Sequence, residues 1–174
     1  MKKFKTKFKG LLLYKTKIYN DKRGNVREAF KKSLLKKNLF LSIVSKSKKK
    51  VIRGLHLQIK KPQDKFIGVI KGKILDVVVD LRKNSKTYGK HYKAVLSDKN
   101  GKFLFVPKGF AHGFLGLEEE NIVLYSCSNY RYVKFERSIK WNDPNLKINW
   151  GIKNPIISSR DKKAKSLKEF NTKK

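Results

Sequence analysis

The chain runs to 174 residues, a length suited to one domain with one core, and residues 1–174 read as a single unit. Apolar residues make up 39% and aromatics 11%, which excludes a disordered polycation even with 33% charged residues. Forty-five Lys and Arg against 13 Asp and Glu give a formal net charge of +32, a balance that raises nucleic acid or an anionic membrane as a partner.

The N-terminus starts basic and offers only Leu11, Leu12 and Leu13 before Tyr14, short of the roughly 7–15 apolar residues of a signal peptide. No stretch approaches the ~18 apolar residues of a membrane span. Residues 11–18 read as the first β-type run. Residues 28–37 carry a weak helical pattern, with Phe30, Leu34 and Leu35 on one side and lysines elsewhere, which predicts a short peripheral helix. Further β-type runs follow at 51–59, 66–70, 74–81, 103–106 and 122–125, separated by Gly, Asn, Asp, Pro and Ser.

Lys71-Gly72 reads as a tight hairpin and Asp98-Lys99-Asn100-Gly101 as a second turn, with glycine supplying positive φ in each. Within 74–81, Leu75, Val77, Val79 and Leu81 form one face, predicted to pack the core. Ile74, Asp76, Val78 and Asp80 form the other, which carries carboxylates. Many short strands with even turn spacing predict an all-β sandwich or barrel. Beyond Pro155 charge rises and hydrophobicity falls, with Lys173 and Lys174 at the end, so about the last ten residues are expected to fray.

The lysines spread along the whole chain, and only Arg23, Arg27, Arg53, Arg82, Arg131, Arg137 and Arg160 are guanidinium groups, the better forks for phosphates and bases. Most of this charge is expected to be solvated surface that confers solubility and salt-dependent affinity for polyanions. The single cysteine, Cys127, allows no internal disulfide and no zinc spacing. It reads as a structural thiol in a reducing compartment, and the cytoplasm is the expected location.

Histidine is scarce. His91 lies in ordinary surroundings, whereas His56 follows Arg53-Gly54-Leu55 and His112 sits within Gly109-Phe110-Ala111-His112-Gly113-Phe114. A histidine in a strand is usually a hydrogen-bonded structural residue, but an imidazole that titrates near neutrality is also the commonest general base. These two motifs, with Gln58, residues 76–82 and Trp141-Asn142-Asp143, resemble the dTDP-4-dehydrorhamnose 3,5-epimerases, metal-independent enzymes of deoxysugar biosynthesis. The resemblance extends over nearly the whole chain through Asp21-Lys22-Arg23-Gly24, Gln63-Asp64-Lys65, Ser85-Lys86-Thr87-Tyr88-Gly89 and Ser158-Ser159-Arg160-Asp161.

The resemblance implies a cupin-like jelly roll (double-stranded β-helix) with short peripheral helices, usually dimeric, whose subunits exchange strand contacts. It implies inversion of carbons flanking the ketone of a nucleotide-linked 4-keto-6-deoxy sugar. In that reaction His56 corresponds to the base, Asp161 to its carboxylate partner, Tyr125 to the acid on the opposite ring face and Lys65 to a cation near the enolate oxygen. Arg23 and Arg53 correspond to diphosphate contacts, Glu28 to a residue near the base, Tyr130 to an aromatic against the nucleotide ring and His112 to a second, orienting histidine. Gln58 stands among the substrate-binding positions. No cofactor is implied. A metal-binding cupin would need two histidines two apart with a carboxylate and a further histidine, and no such pair exists here.

Strict alternation places Arg53 and His56 on opposite strand faces, so both can line one pocket only if the period breaks, with a bulge expected at Gly54. The sequence departs from the family pattern at Leu41-Ser42-Ile43-Val44, where polar residues are usual, at Asn25 and Arg27, where aromatics are common, and at Arg131, where a second aromatic often stands. Altered binding positions beside matching catalytic ones suggest the same chemistry on a different sugar or nucleotide. Three other readings stay open: a single-centre epimerase or 3,4-ketoisomerase of the same superfamily, a basic nucleic-acid-binding module, and a degenerate relative that only binds.

Overall fold

The computed structural model describes residues 1–35 and 37–172. In chain order the elements are β1 (Lys2–Lys5), β2 (Leu12–Lys15), β3 (Ile18–Asp21), β4 (Gly24–Arg27), α1 (Lys32–Leu35), β5 (Leu41–Ser47), β6 (Ile52–Gln58) and β7 (Lys65–Lys71). Then come β8 (Lys73–Asp80), β9 (His91–Ser97), β10 (Lys102–Val106), β11 (Phe110–Gly116), β12 (Asn121–Cys127), β13 (Glu136–Ser138), α2 (Ser159–Lys162) and α3 (Leu167–Thr172). A six-stranded antiparallel sheet, β1-β2-β10-β7-β12-β5, faces a five-stranded one, β13-β6-β11-β8-β9, while β3 and β4 pair only with each other. This is the expected cupin-like jelly roll with short helices at its periphery.

The main core lies between the sheets, where Ile67, Val69, Leu104 and Val123 of one meet Ile74, Val78, Leu96 and Phe114 of the other. Each such fully buried side chain contributes about 1.5–3 kcal/mol relative to leaving it in water. Both faces of β8 are buried, and the face bearing Asp76 and Asp80 is the one turned into the sandwich. The face of Val77, Val79 and Leu81, predicted to pack the core, is buried in a second hydrophobic cluster with Leu146, Trp150 and Leu167 of the C-terminal segment. On the far side of the molecule Leu35 covers Tyr14, Phe66, Phe103 and Phe105.

Several connections differ from the sequence reading. Lys71-Gly72 is not a hairpin within one sheet: β7 and β8 lie in different sheets, and the turn is a sandwich corner with Gly72 at φ +85°. The Asp98–Gly101 turn is a second such corner. The run at 11–18 is a strand only over Leu12–Lys15, because Thr16 donates its amide to the Gly101 carbonyl at 2.9 Å and the chain then leaves the sheet to build the β3–β4 hairpin. The helix expected over 28–37 is confined to Lys32–Leu35, and Lys36 lies outside the described residues.

The stretch expected to fray is described up to Thr172 and carries both backbone bonds and a helix. The Lys140 amide bonds the Lys165 carbonyl at 2.8 Å, the Leu167 amide bonds Asp143 at 2.7 Å, and α3 follows. Lys173 and Lys174 lie outside the described residues. No helix among the described residues is long and apolar enough to cross a membrane.

Candidate active site

A cavity of about 600 Å³ opens at one end of the sandwich. The five-stranded sheet supplies Arg53, His56, His112 and Phe114 to its lining, and the six-stranded sheet supplies Ile43, Lys65, Tyr125 and Cys127. The C-terminal segment adds Ile156, Ile157, Ser158, Arg160 and Asp161.

Arg53 and His56 share this cavity because β6 breaks its period. His112 of β11 faces His56 and Phe114 faces Arg53, so two steps on β11 oppose three on β6. The extra residue is accommodated at Gly54, whose φ of +124° favours glycine, and a Cβ there would stand 2.5 Å from the Gly113 Cα. The bulge expected at Gly54 is thus present.

Asp161, 105 residues beyond His56, arrives by stitching. The Ile52 amide bonds the Ile156 carbonyl at 3.0 Å and the Ile156 amide bonds the Lys50 carbonyl at 2.8 Å, which ties the C-terminal segment to the start of β6. Ser158 then caps α2 by accepting the Asp161 amide at 3.1 Å. The result is a buried carboxylate whose Oδ1 lies 2.6 Å from His56 Nε2 and whose Oδ2 accepts the Gly54 amide at 3.4 Å. Burial pushes the Asp161 carboxyl up, but the bond and charge from His56, with Gly54 and Ser158, outweigh it and hold the group below its ordinary value. An ionised carboxylate fixes the proton on Nε2 and leaves Nδ1 as the basic nitrogen.

A second His–Asp pair stands beside the first. His112 Nε2 lies 2.7 Å from Asp76 Oδ2, both groups are buried, and Asp76 Oδ1 has no partner among the described residues. The His112 ring meets Tyr125 edge-on at 5.9 Å. Tyr125 projects from the opposite sheet with its hydroxyl 3.4 Å from Ser45 Oγ. Burial pushes this phenol well above its ordinary value, against a smaller opposing effect from the Ser45 bond. It therefore stays protonated at neutral pH. Lys65 faces Cys127 directly across the β7–β12 pair. Burial lowers its amine, with Cys127, Glu136 and Asp76 pulling the other way. Burial raises the Cys127 thiol.

The remaining sequence candidates lie elsewhere. Gln58 is buried outside the cavity lining: it accepts the Tyr132 amide at 2.8 Å and donates to the Lys61 and Tyr130 carbonyls at 2.6 and 3.2 Å, so it braces a loop. Tyr130, 58% exposed, does not line the cavity. Arg23 is exposed on the β3–β4 hairpin, paired to Asp21 at 2.7 Å, and Glu28 pairs with the N-terminal amine at 3.7 Å. Neither lines the cavity of its own chain. His91 bonds the Leu146 carbonyl at 2.9 Å, an ordinary structural role.

Sequence reasoning missed a charged cluster at the cavity wall. Glu136 accepts Arg131 Nε at 2.6 Å and Nη2 at 3.3 Å, and Arg160 Nη1 at 2.5 Å. Burial opposes its ionisation, but the two guanidiniums hold the carboxyl down at about 2. The one available signal was that Glu136 is the sole acid between Glu120 and Asp143. No three His, Cys, Asp or Glu side chains among the described residues gather in a way that could hold a metal ion.

The family model for dTDP-4-dehydrorhamnose 3,5-epimerase matches residues 5–169. The chain is 42% identical over 173 residues to the dTDP-4-dehydrorhamnose 3,5-epimerase of Methanothermobacter thermautotrophicus, covering 95% of this chain and 94% of that one. A Legionella pneumophila dTDP-6-deoxy-D-glucose-3,5-epimerase, solved in complex with dTDP-4-keto-L-rhamnose, superposes with a TM-score of 0.91 at 35% identity, covering 96% and 93% of the two chains. A 3′-monoepimerase from Streptomyces bikiniensis, in complex with dTDP-quinovose, superposes at 0.90 with 26% identity, covering 96% and 88%.

Proposed function

The chain belongs to the dTDP-4-dehydrorhamnose 3,5-epimerase family, and on that footing we propose that it epimerises a nucleotide-linked 4-keto-6-deoxy sugar next to the ketone by proton transfer between two protein groups. The observation that carries this reading is the placement of a carboxylate-backed imidazole, His56, and a protonated phenol, Tyr125, on the two facing sheets of one cavity. Facing sheets stand about 10 Å apart, which leaves room for a sugar ring between base and acid. Base on one face and acid on the other is the arrangement that inverts a carbon instead of merely exchanging its hydrogen.

His56 Nδ1 takes the proton from the carbon beside the carbonyl, and Asp161 stabilises the imidazolium that results. The electron pair moves to the ketone oxygen, where the Lys65 ammonium offsets the growing negative charge. Tyr125 then returns a proton from the other side and is itself reprotonated from solvent. Similarity to a monoepimerase favours one specific second reading, inversion at a single carbon.

Proton NMR of dTDP-4-keto-6-deoxyglucose in heavy water tests both. Deuterium is expected at carbons 3 and 5. Entry at one alone makes this a single-centre enzyme, and entry at neither, with no nucleotide binding, leaves the polyanion-binding reading.

We further infer that the working unit is a homodimer in which Arg23 and Glu28 reach the cavity of a second copy. Support comes from the hairpin that carries Arg23, which pairs with no other strand among the described residues and exposes Tyr19 and Val26. Sedimentation at micromolar concentration is expected to give a species of twice the chain mass. A monomer of full activity overturns this.

A further inference from the structure

We propose that the ion pair between Glu136 and Arg160 positions the base: it holds the turn that carries Asp161 at the depth where the carboxylate meets His56. The proposal rests on the epimerase reading for its effect on turnover, and it adds two residues that act on the reaction through Asp161.

Asp161 is carried on an arch. Residues 157–164 leave the sheet after Ile156, which is bonded to the start of β6, and rejoin it at Lys165, whose carbonyl accepts the Lys140 amide at 2.8 Å. Between those anchors the backbone bonds stay inside the arch, from Lys162 to Ser158, Lys163 to Ser159 and Ala164 to Asp161. α2 itself has four residues, too few to keep its place by helix formation alone. Ile157 packs against the second hydrophobic cluster, but apolar contact is non-directional and does not fix the arch against sliding. Among the described residues, the one side-chain hydrogen bond that joins the arch to the sheets without using Asp161 is Arg160 Nη1 to Glu136 Oε2, at 2.5 Å.

The sheet end of that bond stands beside the base. Ser138 faces His56 and Glu136 faces Gln58 across the β13–β6 pair, so Glu136 shares a sheet face with the imidazole and is its diagonal neighbour, roughly 7–8 Å away. Adjacent residues of α2 thus reach neighbouring points of one sheet. The acid Asp161 bonds the base His56, and the base Arg160 bonds the acid Glu136. Glu136 is in turn braced by Arg131 at 2.6 and 3.3 Å, which gives the second tie a fixed foot. A buried carboxylate 2.6 Å from its imidazole tolerates little displacement, and a shift of about 1 Å at a catalytic group can cost about 100-fold in rate. Glu136 and Arg160 are positioning residues in this scheme.

Nitrogen-15 NMR of the His56 ring tests the tie without requiring turnover. In the parent the proton is expected on Nε2, with two well-separated ring-nitrogen signals. Arg160→Ala removes a half-exposed side chain and should melt near the parent temperature. It is expected to draw the two signals toward an exchange-averaged position as the tautomer is released, and to lower kcat by roughly 10–100-fold with KM within about threefold. Arg160→Lys should recover part of kcat, because an ammonium can still reach one carboxylate oxygen. Arg131→Ala also takes a guanidinium from Glu136 but lies off the arch, so the His56 signals should keep the parent positions. Glu136→Gln combined with Arg160→Ala is expected to cost no more than Arg160→Ala alone, the mark of two residues acting through one contact. His56 signals unmoved in Arg160→Ala, or a loss that falls on dTDP affinity with kcat kept, overturns the proposal and leaves the epimerase reading standing. A parent without turnover whose His56 signals still respond to Arg160→Ala removes the epimerase reading and keeps the tie.

Discussion

Replacing His56 by alanine is expected to lower turnover by roughly 10²–10⁴-fold, the usual contribution of a general base. The loss should extend to deuterium entry, because the same nitrogen opens the reaction at every carbon it reaches. The fold should survive: the imidazole is partly exposed, and its one side-chain partner, Asp161, keeps the Gly54 and Ser158 contacts that position it. Asp161→Asn is the sharper variant, since an amide cannot stabilise the imidazolium as a carboxylate does. It should cost activity while leaving substrate affinity near the parent value. Full deuterium exchange by His56→Ala, with a thermal melt like the parent's, would remove His56 from the mechanism and leave the His112–Asp76 pair as the base.

Tyr125→Phe separates the two half-reactions. The substitution removes one hydroxyl whose only partner among the described residues is Ser45, so packing against His112 and Phe114 is retained. Formation of the inverted sugar is expected to fall by roughly 10²–10⁴-fold, while wash-in of deuterium with retained configuration stays within about tenfold of the parent, because His56 can still remove and return the proton on its own face. Burial holds the phenol above its ordinary value, so it is a proton donor across the neutral range and the parent's rate should show no loss from its ionisation below that value. Inversion and exchange falling in step would show that Tyr125 supports the base and is not the acid.

Much of the architecture was legible because apolar β-type runs stand between turn residues. Residues 74–81 and 103–106 declared themselves in that way, although both strands are buried on both faces. β11 did not. Its sequence, Phe110–Gly116, is buried throughout and carries two glycines, so it shows neither alternation nor strand composition. β13 has three residues and exists only because β6 offers it an edge. The face of β8 that packs between the sheets could not be chosen from the sequence, since both faces are covered by segments far away in the chain.

The four residues proposed to carry the chemistry, His56, Asp161, Tyr125 and Lys65, were picked from motifs, and the fold brings all four to one cavity. Of the binding candidates, Arg53 and His112 line that cavity, whereas Arg23, Glu28, Gln58 and Tyr130 do not. In a chain with 45 basic residues no single arginine stands out, and what distinguishes Arg131 and Arg160 is that one carboxylate holds them both. Arg23 and Glu28 do not line this cavity, and Arg23 sits on the separate β3–β4 hairpin.

The stitching of the C-terminal segment onto β6 also sets a clock. Synthesis produces His56 first and its carboxylate 105 residues later, an interval of roughly 5–20 s at about 5–20 residues per second. Only once Ser138 has been made can both sheets be complete, and from then until Asp161 arrives the imidazole lacks the carboxylate that would fix its tautomer. On the proposed mechanism the nascent protein is thus shaped before it is competent, because Asp161 reaches His56 only after Ser158 has turned it inward.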